Sequence, residues 1–320
     1  MTKQLAIGFP VYNGAKYIAR ALDSILSQDF DDFDIIICDN ASTDDTQEIC
    51  LTYAERDSRI RYVRNPENLG AGRNYDKCFH ETDSKYFKWQ AHDDELEPGF
   101  LSRAIAALEA DDGAVLWASA ITVIDSEGNA IRQVSDPLEG VDSDTPAHRY
   151  RAMLRPHSCT TFFGVFRRSA LGRTQLHGMF YGSDKVMLTE VALTGKVIYD
   201  PQPFFRNRDH DDAYSNRLED KKMGKRDQAL AWLDTRNSDK RVYSYGIMLK
   251  RYSGMIGKHV PKFSDRIGCY YYFLRLWLLR PRLIMQLGAD FVWWLAPAAL
   301  ESMRNFEKKY IKFRKPKKHF

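Results

Sequence analysis

Residues 87–101 read Phe-Lys-Trp-Gln-Ala-His-Asp-Asp-Glu-Leu-Glu-Pro-Gly-Phe-Leu, so an apolar, strand-like segment runs into two adjacent carboxylates and then into a helical pattern. A strand that ends in Asp93-Asp94 presents oxygen ligands at the carboxyl edge of a sheet, where open α/β folds bind their ligands. Such carboxylates hold Mg²⁺ or Mn²⁺ together with the oxygens of a substrate phosphate. The stretch therefore predicts the active-centre edge of an α/β fold and a substrate that carries a diphosphate.

The same acidic residues also have a purely structural interpretation. The carboxylates between residues 93 and 97 could form a solvated turn before the helix that starts near Pro98, because acidic side chains are favourable at a helix start. An acidic pair before a helix is common. This stretch alone does not separate the two interpretations.

Bulk composition sets outer limits on the class of protein. The chain has 320 residues and is 44% hydrophobic, which suits one large domain, or one domain plus an appendage, and excludes a disordered protein. Its five cysteines are odd in number and form no Cys-x-x-Cys pair, which indicates free thiols in a reducing compartment. The amino terminus lacks the long apolar region of a signal peptide. We therefore expect a cytoplasmic protein.

Strands and helices alternate over roughly the first 110 residues of the chain. Short apolar runs predict buried strands at residues 5–9, 35–38 and 60–63 and before Asp93, and a helical pattern follows each of them. This alternation predicts a mostly parallel, doubly wound sheet flanked by helices, with a nucleotide site along the carboxyl ends of the strands.

The following segment is less regular. Residues 121–124 and 130–131 flank a Gly-containing turn and predict a hairpin, whereas residues 160–166 and 196–199 predict single strands. The polar stretch at residues 135–146 has little periodicity, so we expect a mobile loop that closes over the donor or the acceptor.

Four motifs stand in this framework, and their order resembles that of glycosyltransferase family 2. They are Pro10-Val11-Tyr12-Asn13, Asp39-Asn40-Ala41-Ser42-Thr43-Asp44, Asn68-x-Gly70-x-Gly72-Arg73-Asn74, and His92-Asp93-Asp94 with Pro98. The resemblance covers roughly residues 4–215 and rests on motif order, because each motif alone is weak. It implies a GT-A fold with a Rossmann-like sheet, inversion at the sugar carbon, a nucleotide-diphosphate sugar donor, and Mn²⁺ or Mg²⁺. We accordingly assign residues 1–215 to a GT-A domain and residues 216–320 to a helical, aromatic-rich and basic region.

Several of these residues suit nucleotide recognition on chemical grounds. Asp39, at a strand end, can accept the imide N–H of a uracil ring, although a helix-capping role is the alternative. Gly70 and Gly72 permit close backbone approach, and Arg73 can reach a phosphate or the base or can simply lie in solvent on a helix face. The resemblance adds further nucleotide or donor contacts at Pro10, Tyr12, Asn13 and Asn40.

The metal motif of the family often reads Asp-x-Asp-Asp, whereas Ala91 occupies its first position here, as in a subset with Ala-His-Asp-Asp. By resemblance, Asp94 is the metal ligand and Asp93 contacts the ribose or the donor sugar. Residues 206–210 resemble the late Arg-x-His element of the family, in which Arg208 neutralises leaving-group charge and His210 completes the metal shell or touches the diphosphate. A solvated loop histidine is the alternative for His210.

A candidate catalytic base follows at Asp184, behind Gly182 and at the expected start of a helix. The positive end of a helix dipole keeps a carboxylate ionised, which suits a proton acceptor. By resemblance, Asp184 is the general base that removes the proton of the acceptor hydroxyl. A simple helix N-cap is the alternative.

The last third of the chain is rich in aromatic residues and ends in a basic tail. Residues 304–320 carry eight Lys and Arg against Glu307, whereas the whole chain has a net charge of +4, so the remainder is net negative. No stretch approaches the ~18 uncharged apolar residues that a spanning helix needs. A helical stripe with arginines interleaved is formed by Ile267, Tyr271, Leu274 and Leu278.

This pattern favours peripheral attachment of residues 267–320 to an anionic membrane surface. The alternatives are packing on the catalytic core or on a second copy of the chain in a homo-oligomer. A basic tail also binds nucleic acid in some proteins, but no recognition motif accompanies this one, so we expect no nucleic-acid partner.

These features predict an inverting glycosyltransferase that moves a sugar from a UDP-sugar to a saccharide or lipid-linked saccharide acceptor. By resemblance, it acts in cell-surface polysaccharide synthesis at the inner face of the cell membrane. A nucleotidyltransferase would carry a Gly- and basic-rich phosphate loop after the first strand, which residues 10–14 do not form. A non-catalytic nucleotide-sugar binder or membrane scaffold would not need both Asp94 and Asp184, although Ala91 keeps that alternative open.

Overall fold

The structure, a computed structural model, describes residues 2–136, 138–211, 230–237 and 242–295. Its first part alternates strands and helices as predicted. The elements are β1 Leu5–Val11, α1 Ile18–Leu26, β2 Phe33–Asp39, α2 Thr46–Arg56, β3 Ile60–Arg64, α3 Ala71–His80, β4 Tyr86–Trp89, β5 Glu95–Leu96 and α4 Phe100–Ala110.

The second part adds four strands and most of the remaining helices. They are β6 Ala114–Ile124, β7 Ala130–Val134, α5 Pro146–Leu154, β8 Val165–Arg167, α6 Arg168–Leu171, α7 Ser183–Thr194, β9 Lys196–Arg208, α8 Ser244–His259, α9 Phe263–Leu278 and α10 Pro281–Leu295. Short 3₁₀ helices occur at Thr160–Phe163 and Thr235–Asn237.

Within the described ranges, the strands form one nine-stranded sheet in the order β3-β2-β1-β4-β8-β6-β9-β5, with β7 paired to β6. Strands β1, β2, β3, β4, β6 and β9 run in one direction, and β5, β7 and β8 run against them. Helices cover both faces of the sheet. The predicted α/β class, with a mostly parallel sheet and a helical C-terminal extension, is confirmed.

The side chains of β1 alternate between the two faces of the sheet, and each face is covered by a layer of helices. Leu5, Ile7 and Phe9 of β1 face a core shared with α1, α2 and α4, whereas Ala6 faces a second core shared with α3, α5, α6 and α7. Because both faces are covered, the strands read in the sequence as continuous apolar runs. That property made the first four strands predictable.

Pro10 lies inside the sheet, whereas the sequence pattern predicted that β1 ends before it. It is buried and pairs in register with Cys38 of β2. Strand β4 reaches only as far as Gly8 along this side of β1, so no ladder bond is lost at the missing Pro10 N–H. Its donor contact stays a prediction.

One other expectation needs correction. Residues 160–166 do not form one strand, because Thr160–Phe163 is a 3₁₀ helix and β8 begins only at Val165. In the predicted loop at 135–146, Leu138 and Val141 are buried and the Val197 N–H donates to Val141 O at 3.1 Å, while the mobility of the loop stays a prediction. The hairpin at β6 and β7 is confirmed, with Gly128 at φ 96° in its turn.

Helices α8 and α9 pack on the rest of the chain through a third apolar core. Tyr252 and Ile256 of α8 and Phe273 of α9 meet Tyr150 of α5 and Val186 of α7 in this core. The Tyr150 hydroxyl also donates to the Tyr252 carbonyl at 2.9 Å. One face of α8 and α9 therefore packs on the core, which is one of the alternatives expected for this region.

Two further observations concern the cell environment. The five cysteines are buried and form no disulfide, as predicted. Across the part of the chain that the structure describes, no helix has the length and apolar character needed to cross a membrane. Residues 296–320, including the basic tail, and residues 212–229, across the predicted domain boundary, lie outside the described residues.

Candidate active site

The loops after β1 and β2 are joined by hydrogen bonds at the carboxyl edge of the sheet. The Asn13 N–H donates to Ser42 Oγ at 2.9 Å, and the Thr43 N–H donates to Asn13 Oδ1 at 2.8 Å. Asn13 has a left-handed backbone with φ of 51°, a conformation that asparagine adopts more readily than most residues. Tyr12 beside it is 42% exposed. Both residues therefore lie at the rim of the edge where the donor was predicted.

The Asp39 carboxylate, at the end of β2, is saturated with internal hydrogen bonds. Its Oδ1 accepts the Ser42 N–H and hydroxyl at 2.9 and 2.6 Å, and its Oδ2 accepts the Tyr62 hydroxyl and the Arg64 guanidinium at 2.5 and 2.6 Å. An ionised carboxylate has about four acceptor sites, and all are used. Asp39 is also fully buried. The contact with a uracil imide stays a prediction, and in this structure Asp39 anchors the loop that follows it.

Asn40, also predicted to contact the donor, belongs instead to a buried cluster of asparagines. Its Nδ2 donates to Asn68 Oδ1 at 2.8 Å, and its Oδ1 accepts Asn65 Nδ2 at 3.0 Å. Asn65 also donates to Asn74 Oδ1 at 2.9 Å, and Asn74 Nδ2 donates to the Cys38 carbonyl at 2.7 Å. The cluster fixes the loop that leads into α3.

Arg73, in the first turn of α3, forms a bidentate ion pair with Asp234 from the C-terminal region. Its Nε and Nη2 donate to the two Asp234 carboxylate oxygens at 3.2 and 3.0 Å. The Arg73 side chain stays 38% exposed, whereas Asp234 is buried. In this structure Arg73 is therefore not simply solvated, because its Nε and Nη2 edge is occupied by Asp234.

The two adjacent carboxylates after β4 face different partners. Asp94 turns inward, where its Oδ1 accepts the Arg208 N–H at 2.8 Å and Asn207 Nδ2 at 3.0 Å. Burial, together with the charge of Asp93, raises the pKa of Asp94 well above its ordinary range. The inward orientation of Asp94 is thus fixed by the end of β9.

Asp93 faces His210, and its side chain keeps 18% exposure. His210 Nε2 lies 3.0 Å from Asp93 Oδ2. Burial raises the pKa of Asp93, but the charge of His92 and the hydrogen bond with His210 outweigh it, so the net pKa lies below the ordinary value. Asp94 stays the predicted metal ligand, and Asp93 is the carboxylate that has a histidine beside it.

Arg208 is held by several partners inside the protein. Its side chain is fully buried, and its guanidinium donates to the carbonyl oxygens of Asp93, Asp125 and Ser126 at 2.9, 2.9 and 3.1 Å. It also pairs with the Glu95 carboxylate. Arg208 thus ties the Asp93 turn to the β6–β7 turn, and its role in neutralising leaving-group charge stays a prediction.

Asp184 begins α7 as predicted, two residues after Gly182, whose φ of 82° allows the sharp entry into the helix. It is half-buried, and no side chain caps the helix. Burial and then the charge of Asp184 raise the pKa of the neighbouring Cys159 thiol. Burial lowers the pKa of His177 to about 4 against the opposing charge of Asp184, so that histidine stays neutral.

An aromatic cluster connects Asp184 with the paired carboxylates. Phe162 stacks on Trp89 and on His177 with ring centroids 4.8 and 5.0 Å apart, and Tyr75 lies 5.3 Å from His177. The pKa of Tyr75 is raised by burial and then by the charges of Asp93 and Asp94. Trp89, Phe162 and His177 are buried, and Trp89 and Phe162 belong to the second apolar core. The cluster therefore packs β4, which leads to Asp93, against the loop that leads to α7.

A sequence profile of the family described as Glycosyl transferase family 2 matches residues 6–174, more than half of the chain. The chain belongs to this family. It is 27% identical over 58% of its length to a GalNAc(5)-diNAcBac-PP-undecaprenol beta-1,3-glucosyltransferase of Campylobacter jejuni, and 24% identical over 67% of its length to an uncharacterised glycosyltransferase of Rickettsia felis. These matches cover only 58% and 35% of the lengths of the two relatives.

The fold of this family 2 chain is shared with a solved glycosyltransferase. S. aureus TarS, in a crystal structure with UDP-GlcNAc, superposes with a TM-score of 0.51 at 14% identity, over 81% of this chain and 82% of that one. At such low identity the likeness concerns the fold alone. The predicted GT-A fold is confirmed.

One buried charge of this family 2 chain, on Lys88, was not predicted from the sequence. Lys88 of β4 is fully buried, and its ammonium donates to the Trp89 carbonyl and to Gln90 Oε1, both at 2.9 Å. Its Nζ also lies 4.9 Å from the centre of the Phe100 ring. Burial lowers the pKa of Lys88 to about 7, with the charge of Asp94 opposing the shift. The sequence feature that could have indicated this buried charge is a lysine inside an otherwise apolar strand.

We expect Lys88 to make stability depend on pH. An unfolded lysine has a pKa of about 10.4, so between about pH 7 and 10 the unfolded chain binds more protons, and the Lys88 contribution to the free energy of unfolding rises with pH. Lys88→Met should remove this rise, as measured by urea unfolding across that range. Lys250→Met, at an exposed position of α8, controls for the loss of a charge. Parallel pH curves for wild type and Lys88→Met would contradict the assignment.

Proposed function

We propose that the chain is an inverting glycosyltransferase that moves a sugar from a nucleotide-diphosphate donor to a hydroxyl of a saccharide or lipid-linked saccharide. One observation carries this proposal. An ionised Asp93 with His210 and a helix-start carboxylate, Asp184, border the same aromatic cluster at the carboxyl edge of the sheet. Donor diphosphate and acceptor hydroxyl need such separate partners on either side of one sugar ring.

The residues present fit a divalent cation, Mn²⁺ or Mg²⁺, at Asp93 and His210. Among the residues that the structure describes, no three His, Cys, Asp or Glu side chains form a complete metal cage. A cage is not required, because Mg²⁺-type sites use one or two protein ligands and take further oxygens from a substrate phosphate. When bound, such an ion supplies charge neutralisation to the departing diphosphate. The predicted metal ligand His210 is retained, and Asp93 replaces Asp94.

Asp184 performs the proton transfer in this proposal. The acceptor hydroxyl oxygen forms a bond to the anomeric carbon as its proton passes to the Asp184 carboxylate. The bond from that carbon to the diphosphate breaks on the opposite side, and its electron pair leaves with the nucleoside diphosphate. Neutral His177 places no competing cation beside Asp184.

For the donor base we propose uracil, held against the exposed ring of Tyr12 with Asn13 beside it. Aromatic rings offer a flat apolar surface to a base, and Tyr12 is the exposed aromatic residue at the β1 end of the site. Support for a UDP-sugar comes from TarS, which was crystallised with UDP-GlcNAc. Asp39 and Asn40 shape this region from beneath through their internal hydrogen bonds.

For the acceptor we propose a lipid-linked saccharide in cell-surface polysaccharide synthesis, met at the inner face of the cell membrane. The name of the C. jejuni relative describes a polyprenyl-diphosphate-linked acceptor. In this chain, one face of α9 packs on the core while the opposite face is exposed, with Leu278 at 73% and Phe263 at 76%. Arg275 lies on the same helix. An apolar stripe with cations beside it suits an anionic membrane surface.

The metal assignment can be tested by calorimetric titration of UDP, with GDP as the control nucleotide, in the presence and absence of Mn²⁺. We expect Mn²⁺-dependent UDP binding in the wild type and its loss in Asp93→Asn. Asp94→Asn should keep that dependence, because Asp94 bonds to the β9 backbone rather than to a cation. Loss in Asp94→Asn with retention in Asp93→Asn would restore the original assignment. Absence of nucleotide binding in the wild type would favour a non-catalytic scaffold.

The base assignment predicts a separation of binding from catalysis. Asp184→Asn removes the proton acceptor but keeps the size of the side chain, so transfer should fall about 10²–10⁴-fold. UDP affinity should stay within about twofold of the wild type, since Asp184 contacts the acceptor side. Sugar transfer from UDP-sugars and UDP titration measure the two effects. Transfer at the wild-type rate would discard Asp184 as the base.

The membrane assignment predicts sedimentation with vesicles of anionic lipid and weaker sedimentation with zwitterionic vesicles. Deletion of residues 304–320 should weaken it, because each basic residue near the surface contributes about 1 kcal/mol. Replacement of Ile267, Leu274 and Leu278 by Ser should weaken it as well, whereas Leu51→Ser, at an exposed position of α2, is the matched control. Unchanged sedimentation in both variants would instead favour contact with a second copy, to be checked by light scattering.

A further inference from the structure

Residues 230–237, here called the strap, lie across the loop that precedes α3. Asp234 holds the Arg73 guanidinium through two hydrogen bonds, at 3.2 and 3.0 Å. Arg236 donates from Nε and Nη2 to Glu67 Oε1 at 2.9 and 2.6 Å, and the Thr235 hydroxyl donates to the Asn68 carbonyl. Three consecutive strap residues thus bind the one loop that carries the Gly-x-Gly-Arg motif.

The two glycines of that motif make room for the strap backbone. A Cβ at Gly70 would lie 2.6 Å from the Leu233 carbonyl oxygen and 2.7 Å from Asp234 Cα. A Cβ at Gly72 would lie 3.2 Å from the same Leu233 oxygen and 2.9 Å from the Met179 sulfur. The glycines were predicted to permit close approach of a ligand, and in this structure the approaching group is the chain itself.

Arg73 lies in the first turn of α3, the helix that runs from the carboxyl end of β3 back to the start of β4. The Asp93 turn follows β4 at the same carboxyl edge, because β3 and β4 run in the same direction in one sheet. One turn further along α3, Asp76 Oδ1 accepts the His177 N–H at 2.8 Å. Arg73 therefore lies at the edge of the sheet where the donor is proposed to bind.

A guanidinium binds carboxylate and phosphate with the same bidentate geometry, so the two anions compete for one arginine. The Asp234 carboxylate is buried beneath Arg73, while Arg73 itself is partly exposed. We propose that Asp234 is an intramolecular substitute for the donor diphosphate at Arg73, and that donor binding exchanges it and releases the strap from the loop. The strap then inhibits the donor site until a nucleoside diphosphate arrives. This inference rests on the proposed function, because it requires that the site bind such a donor.

The test compares UDP affinity in the presence of Mn²⁺ for variants of the full chain. Asp234→Asn keeps the side-chain shape but removes the charge, so UDP should bind more tightly, by about tenfold if the lost competition is worth ~1.4 kcal/mol. Glu67→Gln breaks the neighbouring strap ion pair without touching Arg73 and should change the affinity by less than about twofold. In the Arg73→Ala background, Asp234→Asn should have no effect, which makes the pair a double-mutant cycle.

Each other result overturns the inference. Unchanged or weaker UDP binding in Asp234→Asn would mean that the strap supports the site, and equal tightening in Glu67→Gln would mean that general loosening is responsible. If Asp234→Asn does not fold, hydrogen exchange of the wild-type amides at residues 233–236 decides, with faster exchange expected when UDP is present and slower exchange overturning the proposal. A wild type that binds no nucleotide at all would refute the proposed function instead.

Discussion

The buried guanidinium of Arg208 holds the candidate site together. It joins the carbonyl of Asp93 to the β6–β7 turn and pairs with Glu95, while the backbone N–H of Arg208 donates to Asp94. The end of β9, the turn after β4 and the β6–β7 hairpin are thereby tied to one side chain. A charge fully withdrawn from water is tolerated only when its hydrogen bonds are satisfied, so removal of either member of the Arg208–Glu95 pair leaves the other unpaired. The outward position of Asp93 depends on this arrangement, because Asp94 is drawn inward by the same strand.

The sequence motifs predict where polar residues gather, but only part of what they do. Position was predictable because both faces of the parallel sheet are covered, so its strands read as apolar runs with loops at one edge. Asp184 was likewise predictable from a glycine before a helix. The role of each polar residue was harder to predict, because the side chains that bind it are distant in sequence. Arg208 meets Glu95 across 113 positions and Arg73 meets Asp234 across 161, and neither separation leaves a local pattern.

Register explains the internal hydrogen bonds of Asp39 in particular. Asp39 ends β2 opposite Arg64 on β3, and Tyr62 lies two residues earlier on the same strand. Alternation places both side chains on one face of the sheet, where they reach one carboxylate oxygen. From composition alone, a carboxylate after a strand in this fold suggests a ligand. The paired strand supplies competing donors, and these can be recognised only when the register is known.

The helix that carries Asp184 is held from its far side by the C-terminal helices. Glu190, on the second turn after Asp184, accepts hydrogen bonds from Lys258 and His259 of α8, both at 2.8 Å. Near the start of α7, the Tyr181 N–H donates to Ser244 Oγ at the beginning of α8. The candidate base therefore takes its position from the same helices whose other face is apolar and exposed. If that face rests on a membrane as proposed, the packing of α7 on the C-terminal helices fixes the height of the Asp184 carboxylate above the membrane surface. A lipid-linked hydroxyl would then meet the base at a fixed height above the surface, which restricts the acceptor by its length as well as by its chemistry.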